Sequence, residues 1–363
     1  MTERVYVAAS TSFEAACQIG IFSESHRARA LHGHSYNASI RLAVDESETV
    51  NFDQLELTRE ILQSACSPLD YSYLNDIIDV PTDENIARYI KERIGLPDVN
   101  VIGLTSQSNE GVHLDRYGAA HAWRKFRFES AHRLPNVPQG HKCGRMHGHG
   151  FEVILHAKTE LKDSHLGIDY DEMQTHWNDI HQILHHNCLN DISGLENPTS
   201  EMISFWLWHR LKRKIPQLSW VTVYETATSG AHYDGLDFRI WKDFSIDSAI
   251  RLERVTEADA RKRIHGHTYL CRLHLTAPLN DVLGWTIDYG DVKEKFNPIF
   301  DKLDHQPLYE IDDLRDNDPF SIARWIKASS APYLPELERI DLYENEGCGV
   351  TIDWGSLGPA LPI

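Results

Sequence analysis

The sequence predicts an α+β protein built from three tandem copies of one unit. A His-Gly-His tripeptide occurs three times, beginning at His32, His147 and His265, and the copies are separated by the length of a small domain. Each tripeptide opens a stretch in which apolar and polar residues alternate, which is typical of a half-buried antiparallel strand. Two helical stretches and two further strands follow it in each copy.

The strands and helices have clear local signals. In the first copy, Tyr36, Ala38 and Ile40 share one face of the strand that follows the tripeptide. In the second copy, Thr199 or Ser200 can cap a helix, and the acidic residue that follows suits its positive end. The first copy has the same helix-start pattern, whereas the third copy has lost it.

Size and composition restrict the possible functions. The chain has 363 residues, which suits two or three domains, and we expect units at 1–118, 119–240 and 241–363. Its formal net charge of −18 argues against nucleic-acid and anionic-membrane partners. It has no long apolar run and no export signal, so we expect a cytoplasmic protein whose six cysteines are reduced thiols.

The second copy has the residues of a metal site. His147 and His149 are two positions apart on a strand and so point to the same side, and the preceding strand can bring His132 beside them. Three imidazoles with one open position form the ligand set of a catalytic zinc ion. The alternative is that these histidines are only surface or hydrogen-bonded residues.

A cysteine lies just before this tripeptide. Cys143 is in a loop with His141, Lys142 and Arg145, and positive neighbours and a metal would lower its thiol pKa. We therefore expect a catalytic thiolate. A fourth metal ligand and an idle loop thiol remain the alternatives.

These motifs together resemble the family of 6-carboxytetrahydropterin synthase and 6-pyruvoyltetrahydropterin synthase. The resemblance covers essentially the whole second copy, and the first and third copies share it more faintly. The segments that carry it are Phe128–Pro135, Cys143–His149, Gly167–Tyr170, Leu189–Asp191, Asn197–Glu201 and Glu225–Thr226.

The resemblance implies a fold and an assembly. Such proteins have the tunnelling fold (T-fold), in which each unit is a four-stranded antiparallel sheet with two helices on one face. Three units close into a twelve-stranded barrel, which removes exposed strand edges. One chain with three units would close one barrel, and we expect two such pseudo-trimeric chains to form a homodimer.

The resemblance also assigns site residues. It implies Zn²⁺ ligands at His132, His147 and His149, a catalytic cysteine at Cys143, and a pterin anchor at Glu225. Thr199 and Glu201 would lie near that anchor. A carboxylate suits this role because it accepts paired hydrogen bonds from the amino group and ring N–H of a pterin.

In this family a neighbouring unit supplies an Asp-His pair that works with the cysteine. The third copy keeps it as Asp304-His305, the second has His185-His186, and the first has Asp70-Tyr71. We therefore expect one complete site per chain, between the second and third copies, in which His305 exchanges protons with Cys143 or substrate. The alternative is a polar pair that only ends a helix.

The other two copies keep parts of the site. In the first, Cys17 replaces the first zinc histidine, Ala28 replaces the catalytic cysteine, and Leu104 takes the place of the anchor. Whether Cys17 binds a second metal ion with His32 and His34 is open at this stage. The third copy has Ile250 and Arg261 at the histidine and cysteine positions, and we expect His265 and His267 to be structural. Glu344 matches the anchor position there without a metal partner, and is either a remnant or a residue that holds the barrel interface together.

The substrate implied is 7,8-dihydroneopterin triphosphate, converted to 6-carboxy-5,6,7,8-tetrahydropterin in queuosine-type biosynthesis by a lyase. Lys142, Arg145 or Arg133 would meet the triphosphate, unless these charges only solvate the surface. The alternatives are a 6-pyruvoyltetrahydropterin synthase and a non-catalytic pterin-binding protein.

Overall fold

The computed structural model describes residues 3–44, 52–162, 164–314 and 316–355. The three repeats have the same order of two strands, two helices and two strands. Repeat 1 contains β1 (Arg4–Cys17), β2 (His32–Val44), α1 (Phe52–Cys66), β3 (Ser72–Tyr73), α2 (Asp83–Ile94), β4 (Val99–Gln107) and β5 (Glu110–Asp115). Repeat 2 contains β6 (Ala119–His132), β7 (His147–Glu160), α3 (Tyr170–Leu184), α4 (Ser200–Leu211), β8 (Leu218–Thr226) and β9 (Ser229–Tyr233). Repeat 3 contains β10 (Phe238–Ile250), β11 (His265–Leu275), α5 (Tyr289–Phe300), β12 (Gln306–Pro307), α6 (Pro319–Ser330), β13 (Leu337–Asn345) and β14 (Cys348–Asp353).

Twelve of these strands form a closed antiparallel barrel, so the predicted fold class is confirmed. Repeat 1 joins repeat 2 through β5 and β6, and repeat 2 joins repeat 3 through β9 and β10. Pairing of β14 with β1 joins repeat 3 to repeat 1, and closure leaves no free edge in the ring. The short strands β3 and β12, which the sequence did not predict, pair in parallel with the first strands of their own repeats. β10 begins at Phe238 and so crosses the expected boundary between residues 240 and 241.

The helices cover one face of the sheet, and each repeat has its own apolar core beneath them. In repeat 2, Phe151, Val153 and Leu155 of β7 are fully buried against residues of α3 and α4 such as Trp177 and Leu207. Their alternation with polar positions explains why this segment forms a strand. The core of repeat 3 also takes in Val5 and Val7 of β1, so apolar packing continues across the closing seam.

The opposite face of the strands contains buried polar pairs. Arg272 of β11 donates two hydrogen bonds, of 2.6 and 2.7 Å, to the carboxylate of Asp243. Asp341 accepts hydrogen bonds from Arg339 and His274 at 2.8 Å. Burial alone would raise the pKa of Asp341, but the positive charge of Arg339 and the contact with His274 hold it well below its ordinary value. The barrel interior is therefore held by paired charges.

No helix in the described ranges is long and apolar enough to cross a membrane.

Close strand packing gives a test of the seam between repeats 2 and 3. A Cβ atom added at Gly230 of β9 would lie 2.2 Å from the Val223 carbonyl oxygen and 2.3 Å from the Trp241 ring. We expect Gly230→Ala to lower the free energy of unfolding by about 1–3 kcal/mol, because a backbone oxygen cannot move aside cheaply. Chemical denaturation measures the change. Gly20→Ala is the matched control, because nothing lies within 4 Å of its added Cβ atom. Equal loss in the two variants would contradict the packing argument.

Candidate active site

Strand register brings three histidines of repeat 2 together. His132 at the end of β6 pairs directly with His147 at the start of β7, and His149 follows on the same face. The ring centroid of His132 lies 4.5 Å from that of His147 and 5.2 Å from that of His149. One ring nitrogen of each of these three residues and a carboxylate oxygen of Glu225 all lie within 4.8 Å of one another.

Backbone carbonyls set the orientation of two of the rings. His147 Nδ1 donates to the Arg145 carbonyl oxygen at 2.8 Å, and His132 Nδ1 donates to the Pro198 carbonyl oxygen at 3.0 Å. Because a carbonyl oxygen only accepts, each of these rings presents Nε2 to the cluster. The Nε2 atoms of His132 and His149 are buried and have no hydrogen-bond partner among the described residues.

The electrostatics of the cluster favour metal binding. Burial is the main cause that lowers the pKa of His132 to about 4; His147 and His149 contribute to the decrease, and the hydrogen bond to the Pro198 carbonyl opposes it. Burial and His147 also lower the pKa of His149. Neutral imidazole is the form that binds a metal ion. A buried ring nitrogen is normally paired, and a bound metal ion would be the partner of the nitrogens that have none here. The donor set therefore fits a zinc ion, with Glu225 Oε1 3.7 Å from His149 Nε2.

Cys143 lies in a short 3₁₀ turn, Lys142–Gly144, in the loop before β7. Its backbone N–H donates to His141 Nδ1 at 3.2 Å, and His141 Nε2 lies 3.4 Å from Asp288 Oδ2 of repeat 3. The loop that carries the thiol is thus attached across the seam.

The sequence predicted that basic neighbours and a metal ion lower the pKa of Cys143. For the basic neighbours, this expectation is wrong. Burial and the carboxylates of Glu225 and Asp288 raise the pKa of this thiol, and Lys142 only partly offsets them. The loop supplies one cation to the thiol, while two carboxylates face it from β8 and from the next repeat.

A cavity of about 580 Å³ contains this thiol and lies at the seam between repeats 2 and 3. His147, His149, Cys143 and Glu225 line it from repeat 2. The side that repeat 3 supplies includes aromatic, acidic and basic side chains, namely Lys242, Trp285, Ile287, Asp288, Tyr289 and Lys293.

Glu225 faces this cavity from the end of β8. Burial, together with the nearby carboxylates of Glu201 and Asp288, raises its pKa to about 7. A carboxyl group with this pKa exists in both protonation states near neutral pH. Glu225 can therefore accept hydrogen bonds from a ligand or carry a proton.

Thr199 and Glu201 also line the cavity, but contacts across the seam occupy their polar groups. Thr199 caps α4 and donates to the Gly284 carbonyl oxygen at 2.5 Å. Glu201 Oε1 accepts hydrogen bonds from the Thr286 N–H at 2.8 Å and from its hydroxyl at 3.1 Å. Both residues hold the loop of repeat 3 that carries Asp288.

Asp304 and His305 do not line this cavity. They lie together at the start of a loop beside β10, where Asp304 Oδ1 accepts from the Asp247 N–H at 2.9 Å. His305 Nδ1 lies 2.8 Å from Asp304 Oδ2, and its side chain is 76% exposed. Its backbone has a φ of 56°, and the equivalent residues Tyr71 and His186 share this left-handed conformation. The structure therefore keeps the pair intact but does not bring it to Cys143 within one chain.

The side of the pocket that repeat 3 supplies was not predicted from the sequence. Asp288 and Tyr289 belong to a recurrence of the motif Ile168-Asp169-Tyr170, which was therefore visible in the sequence. The structure shows that each such motif faces the cavity of the preceding repeat.

Strand register also corrects the anchor position in repeat 1. Thr105 pairs with Asn37 as Tyr224 pairs with Glu152, so Ser106 is the equivalent of Glu225. Leu104 is not, because it lies in the apolar core of repeat 1.

Comparisons with known proteins match all three repeats to one family. The family described as 6-pyruvoyl tetrahydropterin synthase matches residues 6–97, 121–236 and 239–354. A 6-carboxy-5,6,7,8-tetrahydropterin synthase from Synechocystis sp. is 37% identical over 118 residues, which are 31% of this chain and 90% of the relative. A dihydroneopterin monophosphate aldolase from Pyrococcus furiosus is 37% identical over 90 residues, which are 23% of this chain and 78% of the relative.

One solved structure aligns with about one repeat of the chain. The Caenorhabditis elegans 6-pyruvoyl tetrahydropterin synthase aligns with a TM-score of 0.30 and 17% identity, over 32% of this chain and 95% of that one. Because the family match extends over most of the sequence, the chain belongs to the 6-pyruvoyl tetrahydropterin synthase family, with three copies of the family's unit in tandem.

Proposed function

We propose that the cavity between repeats 2 and 3 is the active site of a zinc-dependent lyase. It would convert 7,8-dihydroneopterin triphosphate and water to 6-carboxy-5,6,7,8-tetrahydropterin, with release of acetaldehyde and triphosphate. The observation that carries the proposal is that three imidazoles converge beside a half-buried carboxylate. Two of these imidazoles, that carboxylate and a half-buried thiol line one cavity. The Synechocystis relative that bears this name supports the product. The queuosine-type pathway and the cytoplasmic location remain part of the proposal.

The cavity suits an anionic pterin. Glu225 would accept paired hydrogen bonds from the amino group and ring N–H of the heterocycle. Lys142, Lys242 and Lys293 line the same cavity and would attract the triphosphate in spite of the net negative charge of the chain. Arg133 and Arg145, the other expected phosphate contacts, do not line it.

His132, His147 and His149 would hold the zinc ion, whose chemistry when bound is to polarise substrate oxygens and stabilise developing negative charge. The surrounding protein residues raise the pKa of Cys143, so its thiolate form would need the positive charge of the bound metal ion to offset Glu225 and Asp288. As thiolate, Cys143 would take a proton from the substrate side chain at Sγ and return it at the neighbouring carbon. Thr199 and Glu201 would act as positioning residues by fixing the loop that carries Asp288.

Asp304 and His305 would complete the proton path from a second chain. His305 is exposed, and its imidazole pKa is raised by the hydrogen bond and charge of Asp304. Because the pair does not line the cavity of its own chain, a homodimer of two barrels is the arrangement in which it would meet the Cys143 of a partner.

Two alternatives differ in product. A 6-pyruvoyltetrahydropterin synthase would release triphosphate without cleaving the side chain, and a non-catalytic pterin-binding protein would retain the ligand and release nothing. Incubation with 7,8-dihydroneopterin triphosphate and analysis of the products distinguishes the three functions. Only recovery of 6-carboxy-5,6,7,8-tetrahydropterin supports the proposal.

Removal of the metal ion tests the histidine cluster. We expect a chelator to abolish turnover and added Zn²⁺ to restore it, because no other described group in the cavity supplies a Lewis acid. His149→Ala should lower the zinc content, measured by elemental analysis, and His209→Ala on the exposed face of α4 is the control. Full activity in metal-free protein would contradict zinc dependence.

Substitutions should separate the roles of the thiol and the carboxylate. We expect Cys143→Ser to lower kcat by roughly 10²–10⁴-fold with little change in KM, because proton transfer is lost while the pocket keeps its shape. Glu225→Gln should mainly raise KM, because the amide accepts only one of the paired hydrogen bonds. Steady-state kinetics measures both. Unchanged kcat in Cys143→Ser would exclude the thiol from the reaction.

Mixing two inactive chains tests the origin of the Asp-His pair. We expect Cys143→Ser and His305→Ala chains each to be inactive alone and partly active when co-expressed. In a mixed dimer, one of the two sites would combine the intact Cys143 of one chain with the intact His305 of the other. His186→Ala is the matched control within repeat 2. Loss of activity in His186→Ala with full activity in His305→Ala would instead assign the proton path to repeat 2 itself.

A further inference from the structure

Repeat 1 contains a second cluster of metal-ligating side chains, formed by Cys17, His32 and His34. One ligand atom from each lies within 4.8 Å of the others. Cys17 pairs with His32 across β1 and β2 in the register in which His132 pairs with His147. We propose that this cluster is a second metal site, which binds a zinc-like divalent cation through one thiolate and two imidazoles.

The ring geometry matches that of repeat 2. His32 Nδ1 donates to the Ala30 carbonyl oxygen at 2.7 Å, which leaves Nε2 facing Cys17 Sγ at 3.6 Å. The ring centroids of His32 and His34 are 5.0 Å apart. Thiolate sulfur and imidazole nitrogen are the donors that zinc takes in tetrahedral sites.

A residue in contact with Cys17 also differs from its counterpart in repeat 2. Tyr36 occupies the position of Phe151 in repeat 2, and its hydroxyl lies 3.5 Å from the buried Cys17 Sγ. A phenol O–H can donate to a thiolate, and hydrogen bonds of this kind hold the ligands of metal sites in place. The exchange of histidine for cysteine is therefore accompanied by a hydrogen-bond donor for the sulfur.

The cavity beside this cluster has kept a carboxylate. It has a volume of about 490 Å³, lies between repeats 1 and 2, and is lined by His32 and His34. Where repeat 2 has Ser200 and Glu225, repeat 1 has Asp83 and Ser106, so that acid and hydroxyl have exchanged places. Ser106 Oγ donates to Asp83 Oδ2 at 2.7 Å.

The contacts that join the two repeats beside the cavity are also the same in repeat 1 as in repeat 2. Glu84 Oε1 accepts from the Gly167 N–H at 2.8 Å, as Glu201 accepts from Thr286 across the next seam. Ala28 is at the position of Cys143, so this site lacks a proton-transferring thiol. It keeps the cluster that could bind a metal ion and a cavity that could bind a small molecule. We therefore infer a binding site rather than a second catalytic site.

Repeat 3 provides a contrast within the same chain. Ile250 pairs with His265 at the position of Cys17 and His132, so an apolar side chain replaces the third ligand. The three repeats therefore predict about two metal ions per chain rather than three.

Cobalt substitution of the full chain tests the proposal without depending on activity. His147→Ala, His149→Ala and Cys143→Ser together remove the ligands and thiol of repeat 2. We expect this variant to bind about one Co²⁺ per chain, compared with about two in the natural sequence, and to show sulfur-to-cobalt charge-transfer absorption. Absence of bound cobalt in this variant would overturn the proposal.

Substitution of Cys17 in the same background identifies the sulfur. Cys17→Ser should remove the charge-transfer band, whereas Cys17→His should keep the bound cobalt and lose the band, because it recreates the histidine trio of repeat 2. Cys66→Ser, at another buried thiol of repeat 1, is the control and should change neither. A band that survives both Cys17 substitutions would contradict the assignment, whatever the activity of the site in repeat 2.

Discussion

Closure of the barrel is the constraint on which the rest of the structure depends. Each repeat pairs its last strand with the first strand of the next, and β14 returns to β1. This ladder fixes where the His-Gly-His end of one repeat meets the helix-start loop of its neighbour. Glu201 and Glu84 strengthen the meeting point by accepting backbone N–H groups from the following repeat. A pocket therefore belongs to a seam, and part of its lining comes from the following repeat.

The sequence was sufficient to predict features that depend on local pattern. The three tripeptides gave the repeat length, and alternation gave the strands. The position of Cys17, His132 or Ile250 opposite the first histidine follows from direct strand pairing. The histidine trio of repeat 2 could thus be predicted from the sequence, because antiparallel pairing of adjacent strands determines it.

Residues brought together by closure were harder to predict. Asp288 reaches the Cys143 loop only because repeat 3 follows repeat 2 around the ring, and no local pattern indicates which loop faces which cavity. The location of His305 depends on a left-handed backbone conformation and on a hydrogen bond to β10, neither of which its sequence specifies. The anchor position in repeat 1 was misplaced by two residues for a related reason, because only the strand register identifies Ser106.

Fusion of the three units has a consequence for how such a ring can change. In an assembly of three identical subunits, every substitution occurs three times around the axis, so any change that harms one pocket harms all of them. Here a difference between equivalent positions, such as Tyr36 and Phe151 or Ser106 and Glu225, affects a single pocket. The loss of strict threefold symmetry allows natural selection to act on each pocket separately, while the shared backbone ladder keeps the ring intact.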